Sequence, residues 1–154
     1  MNAVLDFSVL AIVFFLILVD QAIKFLVVSY MKLGESIPVL AGIFHITYIE
    51  NPGAAFGLFA NQRVIFIVAA ALVIAAACLM YRRLMSEKVI VRWGVALLLG
   101  GAAGNLIDRV RIGRVIDFLD FRIWPVFNIA DIGICIGVAL LMYALLYDKE
   151  KEKE

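Results

Sequence analysis

Four apolar stretches divide this chain, separated by polar excursions of unequal length. The first, Phe7 to Val28, is 22 residues long, against the roughly 20 a helix needs to cross a bilayer. It lacks a basic leading region and a small-residue cleavage site, so it reads as a retained span rather than a signal peptide. Val64 to Tyr81 carries no charge at all and is closed by Arg82 and Arg83. Val89 to Ile107 and Phe127 to Tyr147 complete the set, and the tail 148–154 alternates charge like a solvated helix end. Residues 30 to 63 cannot span. Within them Ile43 to Glu50 is β-branched and aromatic and predicts a strand, with Phe44, Ile46 and Tyr48 on one face and His45, Thr47 and Ile49 on the other. Glu35 to Leu40 predicts a weaker strand, confined to an edge by Pro38. Asn51 stands at the mouth of the turn opened by the ENPGAAFG run.

Polar residues interrupt the apolar pattern at few places. Asp20, Gln21 and Lys24 lie toward the far end of the first span. Asp20 and Lys24 are four apart and share a helix face. They read either as an ion pair that locks helices, with Lys24 snorkelling to the surface, or as part of an active site. Asn105, Asp108 and Arg109 project together from the end of the third span. Gly100 with Gly104, and Gly133 with Gly137, form small-xxx-small pairs that predict close packing of spans three and four.

Composition agrees with the pattern. Of 154 residues, 65% are hydrophobic, well above the roughly 45–50% of a soluble domain, so the chain belongs in a bilayer as one domain. A net charge of +1 argues against nucleic acid as a partner. Cys78 and Cys135 have no metal-ligand or redox spacing, and one histidine, His45, cannot build a metal site. A serine triad would have to combine His45 with one of four scattered serines, none in a nucleophile-elbow pattern. With four spans both termini share one side. Lysines and arginines outside the first span divide seven to six between the sides, so charge leaves orientation open.

The chemistry concentrates at one membrane boundary, where Asp117 and Asp131 lie fourteen positions apart on either side of a point where the chain re-enters the apolar phase. Each acid there has an ordinary structural reading. Asn128 suits a helix N-cap and Asp131 complements the helix dipole. Asp117 can be an acid beside the turn at Gly113, and Asp108 with Arg109 a simple pair. Helix caps do not, however, require so many polar groups at one depth, with Asp20 and Asn51 on the same side. Two close carboxylates cannot both ionise, so one can act as general base on water while the other protonates a carbonyl. That aspartic chemistry suits a chain with one histidine and no reactive cysteine.

The motifs DQAIK, NPGAAFG, GNLIDR, GRVIDF and FNIAD, in that order from Asp20 to Gly137, resemble the lipoprotein signal peptidase (signal peptidase II) family. The resemblance implies an all-α membrane protein, one peptidase domain over 1–154, with four transmembrane helices and a small extracytoplasmic β-cradle to which Val115 to Phe121 contributes. It implies Asp117 and Asp131 as the catalytic dyad. Asn51, Asn105, Asp108, Arg109 and Asn128 match residues that support the dyad or contact substrate, and Asp20 and Lys24 a supporting motif. No metal or other cofactor is implied. The implied partners are diacylglyceryl-modified prolipoproteins, cut before the lipidated cysteine, together with membrane lipids. The implied location is the bacterial inner membrane, multi-pass, with the site facing outward and no oligomer required. Ile132 departs from the small polar residue expected beside the dyad, and Asp120 lies outside the matched motifs and is expected to be dispensable. A proton-coupled carrier would spread its acids through bilayer depth and carry an inverted repeat, neither of which is seen. A non-enzymatic membrane scaffold would need neither acid, and no GxGD motif supports another membrane aspartyl peptidase.

Overall fold

The computed structural model describes residues 3–53 and 62–151. The latter part of the NPGAAFG run, from Ala54, and the tail beyond residue 151 lie outside the described residues. In chain order the elements are α1 (Ala3–Tyr30), β1 (Ser36–Leu40), β2 (Phe44–Asn51), α2 (Arg63–Leu79), α3 (Tyr81–Leu84), α4 (Val89–Arg111), β3 (Val115–Asp120) and α5 (Ile129–Lys151). Among the described residues three helical stretches are long and apolar enough to cross a membrane: Phe7–Tyr30, Val89–Arg111 and Ile129–Leu146. The uncharged stretch predicted as the second span forms α2, a shorter apolar helix of 17 residues. The architecture is therefore a helical membrane bundle carrying one small antiparallel sheet.

Helix α4 is the centre of the bundle, with α5, α1 and α2 packed on it. It runs one turn beyond the predicted span, so Asp108 and Arg109 sit in its last turns, and it stops where Gly113 adopts φ +79°. Only glycine takes that left-handed conformation without steric penalty. The chain then turns straight into β3. The sheet has the order β1-β2-β3, with Pro38 on the edge strand, where its missing N–H is harmless. Tyr48, Ile116 and Phe118 bury themselves against Val27 of α1, which seats the sheet on the end of that helix. Tyr48 and Ile46 face this core, as the alternation in β2 predicted.

The glycine pattern is used differently from its prediction. A side chain on Gly137 would meet the Gly94 carbonyl oxygen and the Leu98 nitrogen, both at 2.7 Å. One on Gly101 would collide with the Ala130 carbonyl and come within 2.8 Å of Ile134. The α4/α5 seam is therefore built by Gly94, Gly101 and Gly137. Gly100 instead faces α1, with Leu16 at 3.0 Å, and Gly133 lies between Leu16 and the Leu97 carbonyl. Gly104 makes room for Asp20, whose Oδ2 would be 2.8 Å from an added Cβ. The sequence spacing found the right helices but not which glycine meets which neighbour. Gly137→Ala should destabilise the folded protein in detergent by about 2 kcal/mol, because backbone cannot yield as a side chain can. Gly100→Ala, facing mostly the Leu16 side chain, should lose clearly less. Thermal unfolding of the two variants decides, and equal losses would contradict the seam described here.

Candidate active site

Three side chains from two helices make the deepest polar cluster. Lys24 is 1% exposed, Asp20 0% and Asp108 2%. The Lys24 ammonium is 2.9 Å from Asp20 Oδ2 and 2.7 Å from Asp108 Oδ2, and it donates to Asn105 Oδ1 at 3.0 Å. Its three N–H bonds thus meet three acceptors. The Asp20–Lys24 pair read from the first span is present, but Lys24 does not snorkel. It stays inside because Asp108, read from the sequence as a partner for Arg109, supplies a second carboxylate. Gln21 donates to Asp108 Oδ1 at 3.0 Å and to the Gly104 carbonyl at 3.2 Å, a role the sequence reading did not give it. Both carboxylates also bond outside the cluster. Asp20 Oδ1 accepts the Ala130 amide at 2.9 Å, in the first turn of α5, and Asp108 Oδ2 accepts the Ile116 amide at 3.2 Å, next to Asp117.

Two asparagines connect this cluster to Asp117 and Asp131. Asn105 donates to Asp131 Oδ1 at 2.7 Å while its own oxygen faces Lys24. Asn128 donates to Asp117 Oδ1 at 2.6 Å and to Asn105 Oδ1 at 3.1 Å. Asn128 is also the N-cap predicted for the fourth span. Its Oδ1 accepts the Asp131 amide at 2.9 Å, and Asp131 Oδ2 accepts the Asn128 amide at 3.2 Å, a reciprocal cap. The helix cap and the contact to Asp117 are thus one arrangement. Asn51 joins the turn expected from the sequence to Asp117. Its oxygen takes the Gly53 amide at 2.9 Å in the turn, and its nitrogen donates to Asp117 Oδ2 at 3.0 Å.

Asp117 and Asp131 open into a cavity of about 890 Å³ between α2 and α5, with α4 behind it. Asn51, Asn105 and Arg109 line its polar end. Phe66, Ala69, Ala70 and Val73 of α2, with Ile132, Cys135 and Ile136 of α5, make the rest of it apolar. Ligand pockets span roughly 300–1,000 Å³ and combine apolar walls with a few convergent polar groups, as here. Arg109 lies over the Phe66 ring at 4.5 Å and donates to the Gly53 carbonyl at 3.2 Å, which fixes it across the cavity mouth. The segment Phe121 to Phe127 forms a further wall that sequence reasoning missed, since an apolar loop carries no motif. Among the described residues no three His, Cys, Asp or Glu side chains converge as metal ligands. Ser36 does touch His45, Oγ to Nδ1 at 3.0 Å, but Asp120 takes its bonds from Thr47 and Arg122, so the carboxylate-imidazole contact of a triad is not formed there.

Burial pushes the Asp117 carboxyl up to about 7 from 3.8, and repulsion from Asp131 adds to it; the Asn51 and Asn128 amides and the Lys24 charge oppose the rise. Between those two pH values the folded protein holds a proton that the unfolded chain releases. Stability contributed by this group is therefore fullest at low pH and declines as pH rises through about 7. Relative to Asp117→Asn, the wild type should lose stability between pH 4 and pH 8, by at most about 4 kcal/mol. Parallel pH profiles of the two proteins in detergent would show that the Asp117 carboxyl is not shifted.

The chain as a whole is similar to known proteins. The signal peptidase (SPase) II family profile matches residues 12–147. A lipoprotein signal peptidase of Pelotomaculum thermopropionicum is 47% identical over 148 residues, covering 96% of this chain and 95% of that protein. One from Halothermothrix orenii is 47% identical over 142 residues, covering 92% and 95%. A solved structure of a bacterial membrane enzyme superposes with a TM-score of 0.87 at 33% identity, covering 96% of this chain and 92% of that one. A second bacterial membrane enzyme structure gives 0.81, also at 33% identity, over 92% and 94%. With the family profile matching most of its length and relatives at 47% identity, the chain belongs to the signal peptidase II family.

Proposed function

We propose that this protein is an aspartic endopeptidase of the bacterial inner membrane that removes the signal peptide of diacylglyceryl-modified prolipoproteins, cutting before the lipidated cysteine. The observation that carries the reading is the meeting of Asp117 and Asp131 in one cavity, tied to each other through Asn128 and Asn105. Such a pair holds one proton between its members near neutral pH. Asp117, raised to about 7, carries that proton and donates it to the scissile carbonyl as water adds. Asp131, whose oxygens take hydrogen bonds from Asn105 and from the Asn128 amide, acts as the base on that water. Collapse of the tetrahedral intermediate returns a proton to the leaving amine. Arg109 and Asn51 at the cavity mouth contact the peptide, while Asp20, Lys24, Asp108, Asn105 and Asn128 hold the dyad. The apolar stretch between α2 and α5 receives the acyl chains, so a lipidated substrate brings its own anchor to the acids.

In this reading α2 is the fourth crossing, the termini are cytoplasmic, and the sheet and the dyad face outward. One chain, a single domain, is the working unit and no metal or cofactor takes part. Ile132, which lines the cavity, tunes the fit of substrate beside the dyad.

Asp117→Asn and Asp131→Asn should each lower cleavage of lipidated prolipoprotein about a thousandfold or more, and the double variant should be little worse, because the acids act as a unit. Wild-type activity should fall as pH rises above about 7, where the shared proton is lost. Robust cleavage by either single variant, measured with equal amounts of folded protein, would sink the aspartic mechanism. Orientation is read by cysteine labelling at Ser36 and Glu87 in a background lacking Cys78 and Cys135. Ser36→Cys should react from outside and Glu87→Cys only from inside, and the reverse pattern would overturn the topology.

A further inference from the structure

Asp120 lies outside the motifs that carry the family resemblance, yet it is 4% exposed and among the most heavily bonded acids of the sheet. Thr47 Oγ1 on the neighbouring strand donates to its Oδ2 at 2.8 Å, and the Ser36 hydroxyl, 2.7 Å from Thr47 Oγ1, ties this bond to the edge strand. The Arg122 amide donates to Oδ1 at 2.8 Å, and the Arg122 guanidinium to Oδ2 at 2.9 Å. These bonds outweigh the effect of burial and hold the Asp120 carboxyl below the usual carboxylate range, so it is charged throughout the neutral region.

The bonds to Arg122 have a geometric purpose. Arg122 has φ +64°, the one positive value at a non-glycine position among the described residues. L side chains adopt this conformation at a steric penalty, so something must hold it. The result is a tight reversal in which the Ile123 amide donates to the Phe121 carbonyl at 2.8 Å. It sends Phe121, Ile123 and Trp124 along the cavity that contains Asp117 and Asp131. Phe121 is fixed between the rings of Phe44, at 4.9 Å, and Phe127, at 5.9 Å.

We propose that Asp120 is a positioning residue for substrate: its carboxylate clasps Arg122 in the left-handed turn and so sets the Phe121–Trp124 wall against which the lipidated peptide lies. This rests on the reading of the cavity as the peptidase site. The wall contacts the substrate away from the scissile bond, so it contributes to binding in the ground and transition states alike, which appears in KM and not in kcat.

The test uses full-length protein in a Trp93→Phe background, where Trp124 is the single tryptophan. Asp120→Ala should raise KM for lipidated prolipoprotein about tenfold with kcat held within about twofold, the size expected for losing charge-assisted hydrogen bonds. Acrylamide quenching of Trp124 should change with it. Adding Arg122→Gly should recover most of both effects, since glycine takes the positive φ without a clasp. A merely structural role for Asp120 would lower kcat and the melting temperature together, with no recovery from Arg122→Gly, and that outcome overturns the proposal. So does an Asp120→Ala enzyme with unchanged KM and unchanged Trp124 quenching. A wild type that fails to cleave lipidated prolipoprotein removes the peptidase reading instead, and the proposal with it, while Trp124 quenching still reports whether the clasp sets the wall.

Discussion

The rest of the structure hangs on one buried ammonium. Lys24 sits among Asp20, Asp108 and Asn105 at helix α1 and the end of α4, with every N–H occupied. An ammonium removed from water costs several kcal/mol unless its partners are ideally placed, and removing it would strand two buried carboxylates at a cost of about 3–5 kcal/mol. Those carboxylates do more than neutralise it. One accepts the amide of Ala130 at the start of α5, and the other accepts the amide of Ile116, next to Asp117. The two elements that carry Asp117 and Asp131 are therefore referenced to the same point charge.

Between that charge and the dyad stand two neutral amides. Asn105 and Asn128 can donate and accept at once, so each bridges a group on either side without adding charge to a site that already holds several. Asn128 is the more constrained, because it also caps the helix that begins with Asp131's own turn. The start of α5 and the place of its carboxylate are set by the same side chain.

Much of this was legible in the chain. Apolar runs reported three long helices and a fourth, shorter one where a full span was expected, and the β-branched and aromatic stretch Ile43 to Glu50 reported strand β2. The clustering of acids and amides at one boundary reported groups that the fold does bring together around Asp117 and Asp131. What escaped had a physical reason. Spacing showed that Asp20 and Lys24 share a face, but not that Asp108 from another helix would complete the cluster and keep the lysine inside. Small-xxx-small pairs marked spans three and four, yet the partner of each glycine depends on helix rotation, which sequence spacing leaves free. The Phe121 to Phe127 wall reads as an apolar loop, and only the positive φ at Arg122 reveals that it is held in place.

The contact of α4 with α5 at Gly94, Gly101 and Gly137 is backbone against backbone. With carbonyl oxygens met at Gly101 and Gly137, and only the Leu141 and Ile134 side chains beside them, such a joint has little to compress and behaves as a hinge pin rather than a spring. The opposite bank of the cavity is α2, which lines it with Phe66, Ala69, Ala70 and Val73 and carries no buried residue among those described. On the proposed reading, differences in the girth of successive lipidated cargoes are absorbed on the α2 side, while the acids keep their places on the pinned side.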